Sequence, residues 1–115
     1  MKTIYIGNVE VPVRATGFTT ILFKRFTGND LMSTLTDKTR AAEKINDVLS
    51  LFFCINVQAT TEKIGEMFNI VDDINNYYEF LNKFDSKDLY DPKTIELIMG
   101  VWVKAAESKS EAKNG

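Results

Sequence analysis

The segment Val48–Val57, with the sequence VLSLFFCINV, is the densest apolar run of the chain. It is ten residues long, whereas a helix that crosses a membrane needs about 20 apolar residues. Apolar residues also recur at spacings of three and four from upstream of it, namely Ala41, Ala42, Ile45, Val48, Leu49 and Phe52. The sequence therefore predicts a helix from about Thr39 to Val57. Because its second half is apolar nearly all round, the other elements should surround it.

The overall composition is that of one globular domain. The chain has 115 residues, of which 44% are hydrophobic and 26% are charged, and these values are ordinary for a single folded domain. We predict one domain over residues 1–106 and a polar, disordered tail over residues 107–115. A lone cysteine, an N-terminal apolar run too short for a secretion signal and the lack of a long apolar run predict a cytoplasmic protein without a membrane span.

The residues offer little for catalysis or for ligand binding. Histidine is absent, which removes the commonest general base and the commonest metal ligand. Cys54 lies among large apolar residues, where an inert, buried thiol is expected. The acidic segment Asp85–Asp91 lacks the alternate spacing and the central glycine of a calcium-binding loop. We expect no enzyme activity, no metal and no cofactor, and the net charge of −2 argues against binding to nucleic acid.

Residues Thr3–Ala15 have the pattern of a β-hairpin. Gly7-Asn8 suits a two-residue type II′ turn, and the resulting register places one apolar face on the hairpin, made of Ile4, Ile6, Val9, Val11 and Val13. Pro12 has no N–H to donate, so the second strand is expected to have a free edge there. Such an edge can also pair with a second copy, which would give a homo-oligomer.

The segment Phe23–Leu31, FKRFTGNDL, is interpreted as a joint between two short helices. Gly28 is alone, whereas a phosphate-binding loop needs several spaced glycines followed by lysine and serine or threonine. A glycine is the usual residue just after a helix end, and Lys24 and Arg25 would complement the helix dipole there. Asn29 or Asp30 is expected to cap the second short helix.

Three further helices are predicted downstream. Thr60 or Thr61 is expected to cap a short one, and Asp72 a clearer one that buries Ile74, Tyr77, Tyr78, Leu81 and Phe84. Asp91-Pro92 should start the last helix, whose buried stripe is Ile95, Ile98, Met99, Trp102 and Ala105. Phe80 falls off its stripe, so it is the candidate for an exposed, partner-binding aromatic residue. The fold class that follows is α+β, mostly α, with an N-terminal β-hairpin packed on a bundle of about four to six helices.

The order of these features resembles the small tail assembly chaperones of long-tailed bacteriophages and prophages of Gram-positive bacteria. A basic–alanine segment follows the hairpin at Val13–Thr16, and the aromatic-glycine-polar joint is Phe26–Leu31. An acidic, aromatic segment with a Leu-x-x-Phe-Asp ending covers Tyr78–Asp85, and the last helix has the family's spacing between Ile95 and Trp102. The resemblance spans nearly the whole chain.

The resemblance implies a non-enzymatic protein that binds the tape-measure protein and helps recruit tail-tube subunits. It implies action in the cytoplasm of the bacterial host and absence from the mature virion. Many members of that family are also made in a longer, frameshifted form. Ala112–Asn114 can be encoded by the slippery heptamer A-AAA-AAC, although an ordinary polar C-terminus explains these residues equally well. Two alternatives remain from the residues alone: a generic small bacterial helical adaptor or regulator, and, less favoured, an enzyme without histidine.

Overall fold

A computed structural model describes residues 2–34 and 44–114 of the chain, with side chains up to residue 106. In these ranges the protein is mostly helical and opens with a β-hairpin, which confirms the predicted fold class. The elements are β1 (Lys2–Ile6), β2 (Val9–Val13), α1 (Thr19–Thr27), α2 (Leu31–Thr34), α3 (Ile45–Thr60), α4 (Ile64–Asp72), α5 (Ile74–Leu81), α6 (Ser86–Leu89) and α7 (Pro92–Asn114). Residues 39–43, the start of the predicted central helix, lie outside the described residues.

Helix α3 is the centre of the core, as its apolar sequence predicts. Ten of its 16 residues are buried, and β2, α1, α4, α5 and α7 all pack against it. Phe52 is fully buried at 0% exposure, and a phenylalanine removed from water in this way contributes about 2–3 kcal/mol. The fold is therefore organised around one helix that is mostly buried.

The hairpin has the predicted register. Ile6 pairs with Val9 and Ile4 with Val11, and Gly7 has a φ of 60°. No described residue other than glycine has a positive φ, so the turn has its one left-handed residue at the first position, as type II′ requires. The apolar face is buried against the helices.

The edge of β2 is covered at Pro12, where the sequence predicts a free edge. The side-chain amide of Asn56 donates to the Pro12 carbonyl at 2.9 Å, and the Arg14 N–H donates to the Ile55 carbonyl at 2.9 Å. Asn56 and Ile55 both lie in the last turns of α3. Because Pro12 has no N–H, its carbonyl is the one backbone group at that position that needs a partner, and α3 supplies it.

The joint after α1 is built as the sequence predicts. Gly28 ends α1 with a φ of 80°, and its N–H donates to the Lys24 carbonyl at 2.7 Å. Thr27 reinforces the turn, because its hydroxyl donates to the Phe23 carbonyl at 2.8 Å and accepts the Asn29 N–H at 3.0 Å. The Asp30 carboxylate then accepts the N–H of the second residue of α2 at 3.3 Å.

Two helix caps were predicted at the wrong residues. Asp72 is the last residue of α4, and Asp73 caps α5 by accepting the Asn75 N–H at 3.0 Å. Thr60 belongs to the end of α3, and α4 begins at Ile64 without a side-chain cap. In both places the preceding helix runs further than the polar residues indicate.

Helix α7 begins where Asp91-Pro92 predicts. The Asp91 carboxylate accepts the Lys93 N–H at 2.9 Å, and Ile95, Ile98 and Met99 are buried. The helix continues to Asn114 and so includes residues 107–114, the segment expected to be a disordered tail. The division into a domain and a tail stays a prediction.

A buried polar network joins α1 and the segment before it to the end of α3. Thr19 and Gln58 are 0% and 4% exposed, and the Thr19 hydroxyl donates to Gln58 Oε1 at 2.6 Å. Gln58 Nε2 donates to the Thr16 hydroxyl at 2.8 Å. The Thr16 N–H donates back to the Thr19 hydroxyl at 2.9 Å, so each member of the network has a partner on another segment.

Candidate functional site

An open groove runs between the start of β1 and the outward face of α7. Its volume is about 400 Å³, and it is lined by Lys2, Lys93, Glu96, Leu97, Gly100 and Lys104. The α7 residues other than Glu96 are spaced by four, three and four, which places them on one face of a helix. This is the face opposite the buried stripe of Ile95, Ile98 and Met99. We call it the α7 groove.

The α7 groove is basic, although the chain as a whole is acidic. Three lysines and one glutamate line it, against a net charge of −2 for the complete sequence. Within residues 2–34 and 44–106, the one ion pair closer than 4.0 Å joins Arg25 to Asp72. Within those ranges none of the three lysines has a carboxylate partner.

Leu97 and Gly100 form the floor of the groove between the lysines. Leu97 is 37% exposed, and it is the one large apolar side chain among the lining residues. A Cβ on Gly100 would have no described atom within 4 Å, so packing within the chain does not require glycine there. The missing side chain leaves a depression beside Leu97 in which an apolar side chain of a partner can lie.

Beside the groove, β1 has an edge that the described elements leave open. Because Ile6 and Val9 close a two-residue turn, that pair exchanges its backbone hydrogen bonds, and alternate pairs do the same. Thr3 and Tyr5 therefore direct their N–H and C=O groups outward. Neither has a backbone partner within the described ranges, and the Tyr5 side chain is 62% exposed. Lys2 joins this edge to the α7 groove.

Phe80, the residue proposed from sequence for partner binding, is buried instead. It is 5% exposed, and its ring centroid lies 4.9 Å from that of Phe52 and 5.3 Å from that of Phe84. Tyr78, expected in the core, is 58% exposed. The prediction of an exposed Phe80 is wrong because α5 turns a different stripe inward. A buried Phe80 gives no reason to expect that this residue contacts a partner.

Of the two basic residues in the joint, Lys24 and Arg25, Arg25 forms an ion pair within the fold. Arg25 donates to both carboxylate oxygens of Asp72, at 2.9 and 2.8 Å, and its guanidinium lies 4.4 Å from the centroid of the Phe68 ring. The hydrogen bonds raise the pKa of Arg25 and lower the pKa of Asp72. Both groups are well exposed, and the pair connects α1 to α4.

Other chemistry is sparse in the described residues. Burial raises the pKa of the Cys54 thiol to about 12, which makes a reactive thiolate unavailable at neutral pH. No group of three potential metal ligands is found among them. No helix in the described ranges is both long enough and apolar enough to span a bilayer.

The sequence analysis missed the residues of the α7 groove. The signal on α7 was present, since Leu97 is a lone large apolar residue on a face otherwise made of lysine, glutamate and glycine. The contribution of Lys2 is visible only once the two ends of the chain are brought together. Comparisons with known protein families, with curated proteins and with solved structures find no match for this chain.

Proposed function

We propose that the protein is a phage tail assembly chaperone, which binds the tape-measure protein and helps recruit tail-tube subunits without catalysing a reaction. The sequence resemblance points to this role, and the hairpin, the glycine joint and the last helix that carry the resemblance lie in elements of the expected type. A chaperone of this kind acts by holding segments of another protein, so it requires an exposed docking surface.

The observation that carries the proposal is the α7 groove. An open surface that combines Leu97 with three lysines suits a protein segment better than a small molecule, which is usually enclosed on most sides. Lysine side chains around an apolar strip can pair with acidic residues that flank the apolar residues of the segment. A tape-measure protein with exposed apolar stripes offers such segments.

The direct test is co-purification of the full chain with fragments of the tape-measure protein encoded in the same genome. We expect a complex on size exclusion, and we expect it to be lost in the double variant Lys93→Glu with Lys104→Glu. Lys63→Glu with Lys83→Glu is the control with the same change of charge, because both are exposed lysines outside the groove. If no fragment binds the wild-type chain, the proposed function is refuted.

Gene order separates this role from the alternative of a generic helical adaptor. A reading frame between those of the tail-tube and tape-measure proteins supports the chaperone, whereas a neighbourhood without tail genes supports the adaptor. The codons of Ala112–Asn114 test the frameshift proposal separately. If they do not form a slippery heptamer, or no overlapping frame follows, a longer form made in this way is excluded.

A further inference from the structure

We infer that the partner segment at this surface is extended and acidic, and that it adds to β1 as a third strand above the α7 groove. The inference rests on the proposed function only in taking this surface to bind a protein. It specifies the backbone conformation of the bound segment and the chemistry of its side chains.

The first argument is the open edge of β1. Thr3 and Tyr5 each present one N–H and one C=O away from the hairpin, and in the described ranges these groups have no backbone partner. An extended segment can pair with all of them, since its own backbone groups alternate in the same way. A helix cannot, because its backbone groups are already bonded to one another.

The second argument is the position of the groove relative to this edge. An added strand lies about 4.8 Å from β1, and every second side chain points to the side on which the hairpin meets the helices. Lys2 is part of both β1 and the groove wall, so those side chains point toward Leu97 and Gly100. Apolar residues fit over this floor, and acidic residues fit against Lys2, Lys93 and Lys104.

Charge also decides against a second copy as the occupant. Antiparallel pairing of two β1 strands would bring the two α7 grooves together around a two-fold axis. Each groove contributes three lysines and one glutamate, so the two like-charged grooves would repel each other. An acidic segment meets the same lysines with the opposite charge.

The test uses a defined probe, so that it does not depend on identifying the natural partner. The probe is a short, capped, fluorescent peptide in which every second residue is valine or glutamate in turn, with threonine between them, so that one face of the strand carries both; its counterpart replaces glutamate with lysine. We expect fluorescence anisotropy to detect binding of the acidic peptide to the full chain and at least about tenfold weaker binding of the basic one. Failure of the acidic peptide to bind, or equal binding of both, overturns the inference.

Proline substitution tests strand addition itself. Thr3→Pro removes an outward N–H but no bond within the hairpin, and Pro12 already occupies the facing position on β2. We expect about tenfold weaker binding of the acidic peptide, whereas Thr3→Val, which keeps the N–H, should bind normally. Equal binding by the proline variant would show that the segment does not pair with β1.

Amide hydrogen exchange provides a second readout on the unmodified chain. The Thr3 and Tyr5 amides should exchange quickly in the free protein and become protected when the acidic peptide is bound. Unchanged exchange at saturating peptide overturns strand addition even if Thr3→Pro fails to fold. A peptide that binds as inferred while every tape-measure fragment fails would preserve this inference and refute the chaperone role.

Discussion

Replacing Gln58 by leucine tests whether the buried polar network holds the N-terminal segments on α3. Gln58 accepts the Thr19 hydroxyl proton and donates to the Thr16 hydroxyl, at 2.6 and 2.8 Å. Leucine has a similar size but no polar atom. In Gln58→Leu, the Thr19 hydroxyl keeps the N–H of Thr16 as a donor but has no acceptor for its own proton, at a site with 0% exposure.

The expected magnitude follows from that orphaned hydroxyl. A buried donor left without an acceptor costs about 1–3 kcal/mol, and the apolar leucine side chain recovers part of this. We expect a net loss of about 1–2 kcal/mol in the free energy of unfolding. That loss is a large share of the stability of a small domain, which is typically about 5–15 kcal/mol.

The assay is urea unfolding followed by circular dichroism, with a double-mutant cycle. Thr19→Val should also destabilise, because it leaves Gln58 Oε1 and the Thr16 N–H without their partner. The double variant removes both sides of the Thr19–Gln58 hydrogen bond, so it should lose at least about 1 kcal/mol less than the sum of the single losses. Thr20→Val is the control, because the Thr20 hydroxyl makes one long, exposed bond to Gly17, at 3.3 Å.

Additivity would refute the reasoning. If the double variant loses the sum of the two single losses, Thr19 and Gln58 do not stabilise each other through the observed bond. A lower urea midpoint with an unchanged slope is required as well, since a changed slope would mean that the variant alters the compactness of the native or denatured state instead.

Three other predictions concern residues whose roles the structure redefines. Phe80→Ala should lower the free energy of urea unfolding by about 3–5 kcal/mol through loss of core packing, whereas Tyr78→Ala should change it by less than about 0.5 kcal/mol. Because Arg25 lowers the pKa of Asp72, the ion pair stabilises the fold at a pH above the ordinary carboxyl pKa, and this stabilisation is lost as the pH falls through the lowered pKa. The free energy of unfolding of Asp72→Asn, measured in urea at several pH values, should lack this part of the acid dependence. Cys54, with a pKa of about 12, should react with iodoacetamide at pH about 8 only in urea, and labelling of the native protein would contradict its burial.

Local chemistry made the hairpin and the helix ends predictable. Gly7-Asn8 between two alternating apolar strands allows one register, and a one-residue shift would turn the apolar face to water. Gly28 and Asp91-Pro92 act through backbone conformation and local hydrogen bonds, so their effect can be read without knowing the rest of the fold. The apolar residues of α3 likewise predict one outcome, which is burial of that helix by the surrounding elements.

The orientation of α5 was not predictable in the same way, because its sequence contains two helical stripes. Ile74, Tyr78 and Leu81 form one, and Tyr77, Phe80, Leu81 and Phe84 form another. Both have spacings of three and four, and packing against Phe52 and Phe53 of α3 selects the second. The α7 groove was missed for a related reason, since it exists only where Lys2 meets a helix from the other end of the chain.

Salt separates the two possible occupants of the β1 edge, because the lysines of the α7 groove act on them with opposite signs. At about 0.15 M salt, exposed charges are screened over about 8 Å, so added salt weakens the attraction between the groove and an acidic segment. The same screening weakens the repulsion between two grooves and would promote pairing of two copies. Affinity for the acidic peptide should therefore fall as salt rises, while light scattering should detect any dimer more readily. A peptide affinity that does not change with salt would mean that Lys2, Lys93 and Lys104 do not contact the bound segment.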